Sequence, residues 1–422
     1  MLKPEDNELL CRVGPGTPMG ELFRRFWLPA LMPHELAEPD CEPVRIRLLG
    51  EDMVAFRDTN GRIGVLDEYC PHRRAPLSFG RNEECGLRCV YHGWKFDVDG
   101  NCVDMPNERP ETDFKHKVRI KTYAAAEWGG YIWIYMGPPE RKPPLPEFEW
   151  ATLPPEHRWQ RKWHYSANYM QGLEGELDTC HTSFLHKVDD AAPLSPGLKE
   201  AVSNWGKDGM PKLDVRDTEY GYYYGSQRDM GDGRYNWRLT QWVLPSNSLI
   251  PQPKFPISSR AYIPIDDENT YVFGTSFNPD APMTQADTDY LETGMGAAPT
   301  LIPSTSFPEI NRSNDYKRDF AAKRRGHSTG IPGINNQDRA LVELMGPIAD
   351  RSKEHLGTSD VAVIAARRRL LQMAKDLAAG KEPDLPQHAA AFGVRPIDVM
   401  TADEQLDRVV EEYRDKLRFA DS

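Results

Sequence analysis

Two short runs carry the residues with the strongest chemical character. Cys70-Pro71-His72-Arg73 and Cys89-Val90-Tyr91-His92-Gly93-Trp94 supply Cys-x-His, sixteen intervening residues, then Cys-x-x-His. Two thiolates and two neutral imidazoles suit either a tetrahedral zinc or a 2Fe–2S cluster with both cysteines on one iron and both histidines on the other. Imidazole in place of thiolate removes negative charge, so such a cluster accepts an electron more readily than an all-cysteine one. Each half leaves a β-like segment (63–66 and 87–90) and turns at a Pro or Gly. That predicts two loops presenting ligands to one centre, whereas a zinc ribbon more often uses Cys-x-x-Cys halves.

A second constellation reads Glu174-x3-Asp178-x2-His181-x4-His186. On a continuous helix over 168–184, Glu174, Asp178 and His181 share one face, while His186 lies about 140° around from His181. Both histidines reach one metal only if the helix end loosens there. Two imidazoles plus one carboxylate, with open positions for O₂, form the facial triad of non-haem Fe(II) oxygenases. Two satisfied histidines on an amphipathic helix are the plainer alternative; the first motif in the same chain favours the metal. The carboxylate must come from elsewhere. Asp338, after Asn335-Asn336-Gln337, opens a predicted helix over 337–353, where a first-turn acid would also complement the helix dipole. Glu343, Asp350 and Asp360 are rivals that spacing does not separate.

These residues need elements to hold them. A chain of 422 residues has room for two or three domains. Alternation predicts short strands at 44–48, 53–56 and 63–66, with Asp58-Thr59-Asn60-Gly61 as a hairpin turn, and further strands at 95–98, 102–103 and 129–135. Residues 42–140 therefore read as an all-β module with the ligand loops at one tip. Residues 1–41, with Thr17 capping a short helix, form an N-terminal segment expected to pack on the larger domain. Prolines from 138 to 155 mark a linker at 141–160. Residues 161–422 read as α+β, an antiparallel sheet (220–224, 235–243, 258–263, 270–277) wrapped by helices. These include one over 360–379 behind Ser359 and a last one opened by a Thr401-x-x-Glu404 capping box. Loops at 187–218 and 302–335 are placed to gate a site.

Composition excludes several functions. A net charge of -12 and pI near 5.5 argue against nucleic-acid binding. No apolar run approaches a membrane span, and Met1–Leu9 carries no apolar leader core, so a cytoplasmic protein is expected. Seven cysteines scattered over this length are no disulfide framework; Cys11, Cys41, Cys85, Cys102 and Cys180 read as incidental thiols.

Together the two constellations resemble the oxygenase (alpha) subunit of Rieske non-haem iron aromatic ring-hydroxylating oxygenases. Arg12-Val13-Gly14-Pro15-Gly16-Thr17-Pro18-Met19-Gly20 and Met345-Gly346-Pro347-Ile348-Ala349-Asp350-Arg351 look closest to the phthalate dioxygenase group. The resemblance implies a Rieske [2Fe–2S] cluster on Cys70, His72, Cys89 and His92, and a helix-grip catalytic domain. It singles out Asp338 as the third ligand beside His181 and His186 on a mononuclear Fe(II). It implies head-to-tail homotrimers or stacked hexamers, with Asp178 bridging His181 to a neighbour's His92; Glu174 reads either as a further member of that network or as a buried structural acid. Electrons would come from NAD(P)H through a separate reductase, docked at a basic rim of Arg73, Arg74, Arg81 and Arg88. The expected substrate is a small, carboxylated aromatic. Arg238 is the candidate for its carboxylate, ahead of Lys207 and Arg260, with an Arg paired elsewhere on the sheet as the alternative; Trp237, Trp242 and Tyr262 are candidates for an aromatic wall or for the sheet core. An aryl-ether O-demethylase or other monooxygenase is the alternative, and an electron carrier or zinc-stabilised binding protein the remote one.

Overall fold

The computed structural model describes residues 1–188, 193–254 and 256–417. Helices α1 (Pro4–Cys11) and α2 (Pro18–Phe23) open the chain, the second capped by Thr17, whose Oγ1 accepts the Gly20 N–H. Ten short strands follow: β1 (Trp27–Leu31), β2 (Val44–Leu48), β3 (Glu51–Arg57), β4 (Ile63–Asp67), β5 (Arg81–Glu83), β6 (Gly86–Arg88), β7 (Lys95–Phe96), β8 (Cys102–Asp104), β9 (Ala124–Trp128) and β10 (Tyr131–Tyr135). They make three antiparallel sheets, β2-β3-β4, β5-β6-β7-β8 and β1-β10-β9. Alternation in β3 and β4 gives this module two inner faces. Val54, Phe56 and Leu66 pack around Cys70 and Cys89, whereas Met53, Ala55 and Val65 join the large core shared with the rest of the chain. β1 thus ties residues before 42 into the β module, while α1 and α2 pack on helices of the larger domain.

After α3 (Glu149–Thr152) in the proline-rich stretch comes β11 (Arg158–Tyr165), the edge of a fourth, larger sheet. Helices α4 (Tyr169–Leu177), α5 (Thr182–Leu185) and α6 (Pro196–Lys207) precede β12 (Lys212–Asp217), β13 (Gly221–Asp229), β14 (Tyr235–Val243), β15 (Asn247–Ile250), β16 (Ile257–Pro264) and β17 (Thr270–Phe277). Helices α7 (Gln285–Glu292), α8 (Phe320–Arg324), α9 (Ile334–Leu344) and α10 (Val361–Ala378), strand β18 (Ile397–Thr401) and helices α11 (Leu406–Glu412) and α12 (Arg414–Leu417) complete the domain. The sheet is antiparallel in the order β11-β17-β16-β15-β14-β13-β12; β14 pairs β15 through Gln241–Val243 and β18 through Tyr235–Leu239. α4 lies across β15 and β16 and packs on α9 and α10.

Five local expectations fail, the first three for a physical reason in the chain itself. The helix expected over 168–184 ends at Leu177, because the Asp178 carboxylate takes the Cys180 N–H at 2.7 Å and the His181 N–H at 3.4 Å in place of the helical ladder. The helix expected over 337–353 is α9; it begins at Ile334 and stops before Gly346, which adopts φ +98° ahead of Pro347. The Thr401 capping box does not form: Thr401 closes β18, and its Oγ1 accepts the Asp403 N–H before α11 starts at Leu406. The loop expected over 187–218 holds α6 and β12, with 189–192 outside the described residues, and the 302–335 loop contains α8.

Candidate active site

The first centre sits on two loops of like construction. In one, Cys70 N–H donates to Ala75 O and Arg74 N–H to Cys70 O; in the other, Cys89 N–H donates to Trp94 O and Gly93 N–H to Cys89 O. Gly93 has φ +80°, and a Cβ there would lie 2.5 Å from Pro106, so this turn requires glycine. Both cysteines are buried, and the His72 and His92 rings lie 4.3 Å apart, His72 stacked on Trp94 at 4.5 Å. Hydrogen bonding between the neighbouring Cys70 and Cys89 thiols lowers that of Cys89 and raises that of Cys70. His72 Nδ1 is buried with no hydrogen-bond partner, an orphaned lone pair beside two sulfurs and a second imidazole. That donor set fits an asymmetric 2Fe–2S cluster. Of the expected basic rim, Arg88 is half-buried and held by Glu83, Asp104 and Gly93 O, so it braces the loop; Arg73 is exposed over the Tyr91 ring.

The second centre depends on the helix break. Because α4 stops at Asp178, His181 and His186 flank the separate turn α5 and face each other. Their Nε2 atoms lie 3.2 Å apart, and Asp338 Oδ1 on α9 is 3.5 Å from that of His181 and 3.2 Å from that of His186. Three donors at roughly 3 Å from one another match adjacent positions around an octahedral ion with bonds of about 2.1 Å. The outer nitrogens are also engaged. His186 Nδ1 lies 2.9 Å from Gln337 Oε1, and Gln337 Nε2 donates to Ile331 O at 3.1 Å, which fixes the amide with its oxygen toward the ring. His181 Nδ1 lies 3.5 Å from Asp178 Oδ2. An acceptor at each Nδ1 leaves each Nε2 lone pair for a metal. Burial disfavours a charged His181, but Asp178 and Asp338 outweigh it and push its pKa up to about 10. Asp338, against its own burial, is held well below the usual carboxylate range by the two imidazoles. Positive charge among these side chains is therefore stabilised.

The rivals of Asp338 are occupied elsewhere. Glu343 pairs with Arg339 and Tyr316, Asp350 caps a turn at Ser352, and Asp360 accepts the Gly357 N–H. Asp338 lies in the second turn of α9, beyond the dipole role expected of a first-turn acid. Glu174 turns away from the metal donors to Arg351 and Arg367, 3.0 and 2.6 Å away.

The triad opens onto a cavity of about 320 Å³. Arg238, Arg260 and Thr240 line it from the sheet, Trp205 from α6 and Tyr224 from β13. Trp237 belongs to a separate cluster with Leu406 and Val409, Trp242 and Tyr262 to the main core, and Lys207 is exposed at the end of α6. The aromatic wall is thus Trp205, Tyr224 and Tyr290. Sequence reasoning passed over Gln337 and these three aromatics; for Gln337 the sole signal was its place beside Asp338.

Two modules sharing a core, one with paired Cys/His loops and one with a partly buried two-histidine, one-carboxylate site over a cavity, define an oxygenase carrying its own electron-entry domain. Comparison with known proteins agrees. Residues 26–124 match the Rieske [2Fe–2S] domain family and residues 134–393 the LigXa C-terminal domain like family. The chain is 43% identical to the phthalate 4,5-dioxygenase oxygenase subunit of Pseudomonas putida, over 93% of this chain and 92% of that protein. It is 39% identical to the 3-chlorobenzoate-3,4-dioxygenase oxygenase subunit of Comamonas testosteroni, over 88% of each. The crystal structure of dicamba monooxygenase bound to dicamba shares the fold at TM-score 0.59 and 19% identity, over 84% of this chain and 98% of that one. The chain belongs to the Rieske non-haem iron oxygenases and is the terminal oxygenase component of such a system, with a [2Fe–2S] centre and a mononuclear iron. Among the described residues, no helix is long and apolar enough to cross a membrane.

Proposed function

We propose that this oxygenase hydroxylates a small aromatic bearing a carboxylate, held by Arg238 beside iron bound to His181, His186 and Asp338. The observation that carries this reading is the presence of Arg238 on the wall of the cavity into which the donor triad opens. When bound, the two metal groups supply single electrons from a separate reductase and activation of O₂ next to the ring. The chain's own residues do the rest. Trp205 and Tyr224 offer flat apolar surface to a ring, and Gln337 holds the proton on His186 Nδ1. Cys70, His72, Cys89 and His92 hold the cluster, and exposed Arg73 offers a contact to the reductase. Asp178, half-buried with one oxygen toward His181, links to the partner subunit's His92 in a cytoplasmic homotrimer or stacked hexamer. The test is to incubate Fe(II)-loaded protein with peroxide and a panel of carboxylated and methoxylated aromatics, reading products by mass. A hydroxylated product retaining every carbon supports the proposal. Formaldehyde with a demethylated phenol moves the protein to the O-demethylases.

A further inference from the structure

The cavity beside the triad carries buried charge that is balanced at one cluster and unbalanced at the other. Arg238 and Arg228 meet at Thr179: Arg238 donates to its Oγ1 at 3.0 Å and Arg228 to its carbonyl at 2.8 Å. Both arginines are buried. Asp398, opposite Arg238 in the β14–β18 register, lies 3.4 Å from its Nε. Among the described residues no carboxylate forms an ion pair with Arg228, whose other partners are Asp208 O and Thr182 Oγ1. Among the described residues, two guanidiniums thus share one ion-paired carboxylate, and Arg228 is left without a salt bridge. The crowding registers on Arg228, which burial and then the neighbouring Arg238 charge lower to about 10.

The other cluster has no such surplus. Arg260 on β16 pairs with Glu176 on α4, their side chains 8% and 7% exposed. Glu176 also accepts the Tyr262 hydroxyl at 2.8 Å, and Arg260 donates to Ala297 O at 2.8 Å. Arg260 and Glu176 both line the cavity. An anion brought to Arg260 would meet the Glu176 charge in a buried, low-dielectric wall, where like charges repel strongly. An anion brought to Arg238 would add a second negative charge to the Arg238–Arg228 pair, which has Asp398 alone as its carboxylate partner among the described residues.

We infer that the cavity selects aromatic substrates with a single anionic group, benzoate-type monocarboxylates in preference to phthalate-type dicarboxylates, and that Glu176 is the residue that rejects the second charge. This rests on the carboxylated-aromatic reading above. A ring anchored at Arg238 then presents an uncharged edge to the Arg260–Glu176 pair, which can hydrogen-bond a neutral polar substituent.

The experiment is anaerobic calorimetric titration of the cluster-intact, Fe(II)-loaded protein. The ligands are 3-chlorobenzoate and 3-methoxybenzoate, phthalate and isophthalate, and neutral 3-chlorobenzamide. The monocarboxylates are expected to bind about tenfold tighter than the dicarboxylates. Glu176→Gln keeps the acceptor for Arg260 and Tyr262 but removes the charge, and is expected to shift that ratio about tenfold toward the dicarboxylates. Dicarboxylates binding as tightly as monocarboxylates to the unmodified protein would overturn this inference and leave the carboxylate reading standing. Benzoates binding no tighter than the amide would overturn both. An unchanged ratio in a Glu176→Gln protein with normal cluster absorption and iron content would remove Glu176 from the role. Should that variant lose iron or cluster, the ratio in the unmodified protein decides.

Discussion

Each histidine of the proposed iron triad is met at its outer nitrogen by a different kind of acceptor, and the difference separates two roles. Gln337 is neutral and its amide is pinned by Ile331 O, so it can only fix the His186 tautomer and ring angle. Gln337→Met removes that acceptor; iron affinity is expected to fall about 10–100-fold, read by metal-buffer titration, with cluster absorption unchanged. Gln337→Glu, which keeps an acceptor, should retain most of the affinity. Asp178 is charged, and burial is outweighed by His181 and two backbone N–H groups that hold it below the usual carboxylate range. Asp178→Asn is expected to keep both metals yet lose most coupled turnover, with product formed from peroxide largely retained; normal reductase-driven turnover would exclude the bridge. The two Cys/His loops and the histidine pair were legible in the sequence because their chemistry lies in residue type and short spacing. The choice of Asp338 over Glu343 was not, because it turns on which acid already has a partner, and only the packed structure shows Arg339 and Tyr316 around Glu343.

The elements that carry the triad are α5, which follows the break in α4, and α9, and few contacts keep α4 and α9 in register. Gln171 on α4 is buried, donates to Val342 O and Gly346 O at 2.9 Å each, and accepts the Ala349 N–H at 2.8 Å. Gln171→Leu would strand three backbone groups and is expected to cost about 2–4 kcal/mol. A lowered melting temperature should come with weaker iron binding, because the end of α9 would lose its hold on α4. Strands with clean alternation, β14 and β17 among them, were readable to their ends. β15 was not: its four residues, Asn247-Ser248-Leu249-Ile250, stand between prolines and carry a turn-like composition. The break at Asp178 was equally hidden, since helical periodicity runs through 168–184 and a side-chain bond to the backbone ends the helix where no glycine or proline marks it.

At the scale of the molecule, the β module shares its core with the catalytic domain through Met53, Ala55 and Val65, so the two halves are packed as one body. The cluster loops carry an exposed edge, with Tyr91 55% and Val90 57% exposed. Phe184, on the α5 turn between the two iron histidines, is 66% exposed. Exposed apolar surface of this kind at both centres fits the proposed contact between subunits. The consequence can be measured by complementation. Cys89→Ser removes a cluster ligand and leaves the triad; His186→Ala does the reverse, and each variant alone should be inactive with reductase. In a head-to-tail ring assembled from equal amounts of both, about a quarter of the interfaces bring an intact cluster against an intact iron site. Reductase-driven turnover is therefore expected to return to about a quarter of normal after the two are dissociated, mixed and reassembled. A mixture that stays inactive, while forming rings of normal size with each metal present at half content, would place electron transfer inside the single chain.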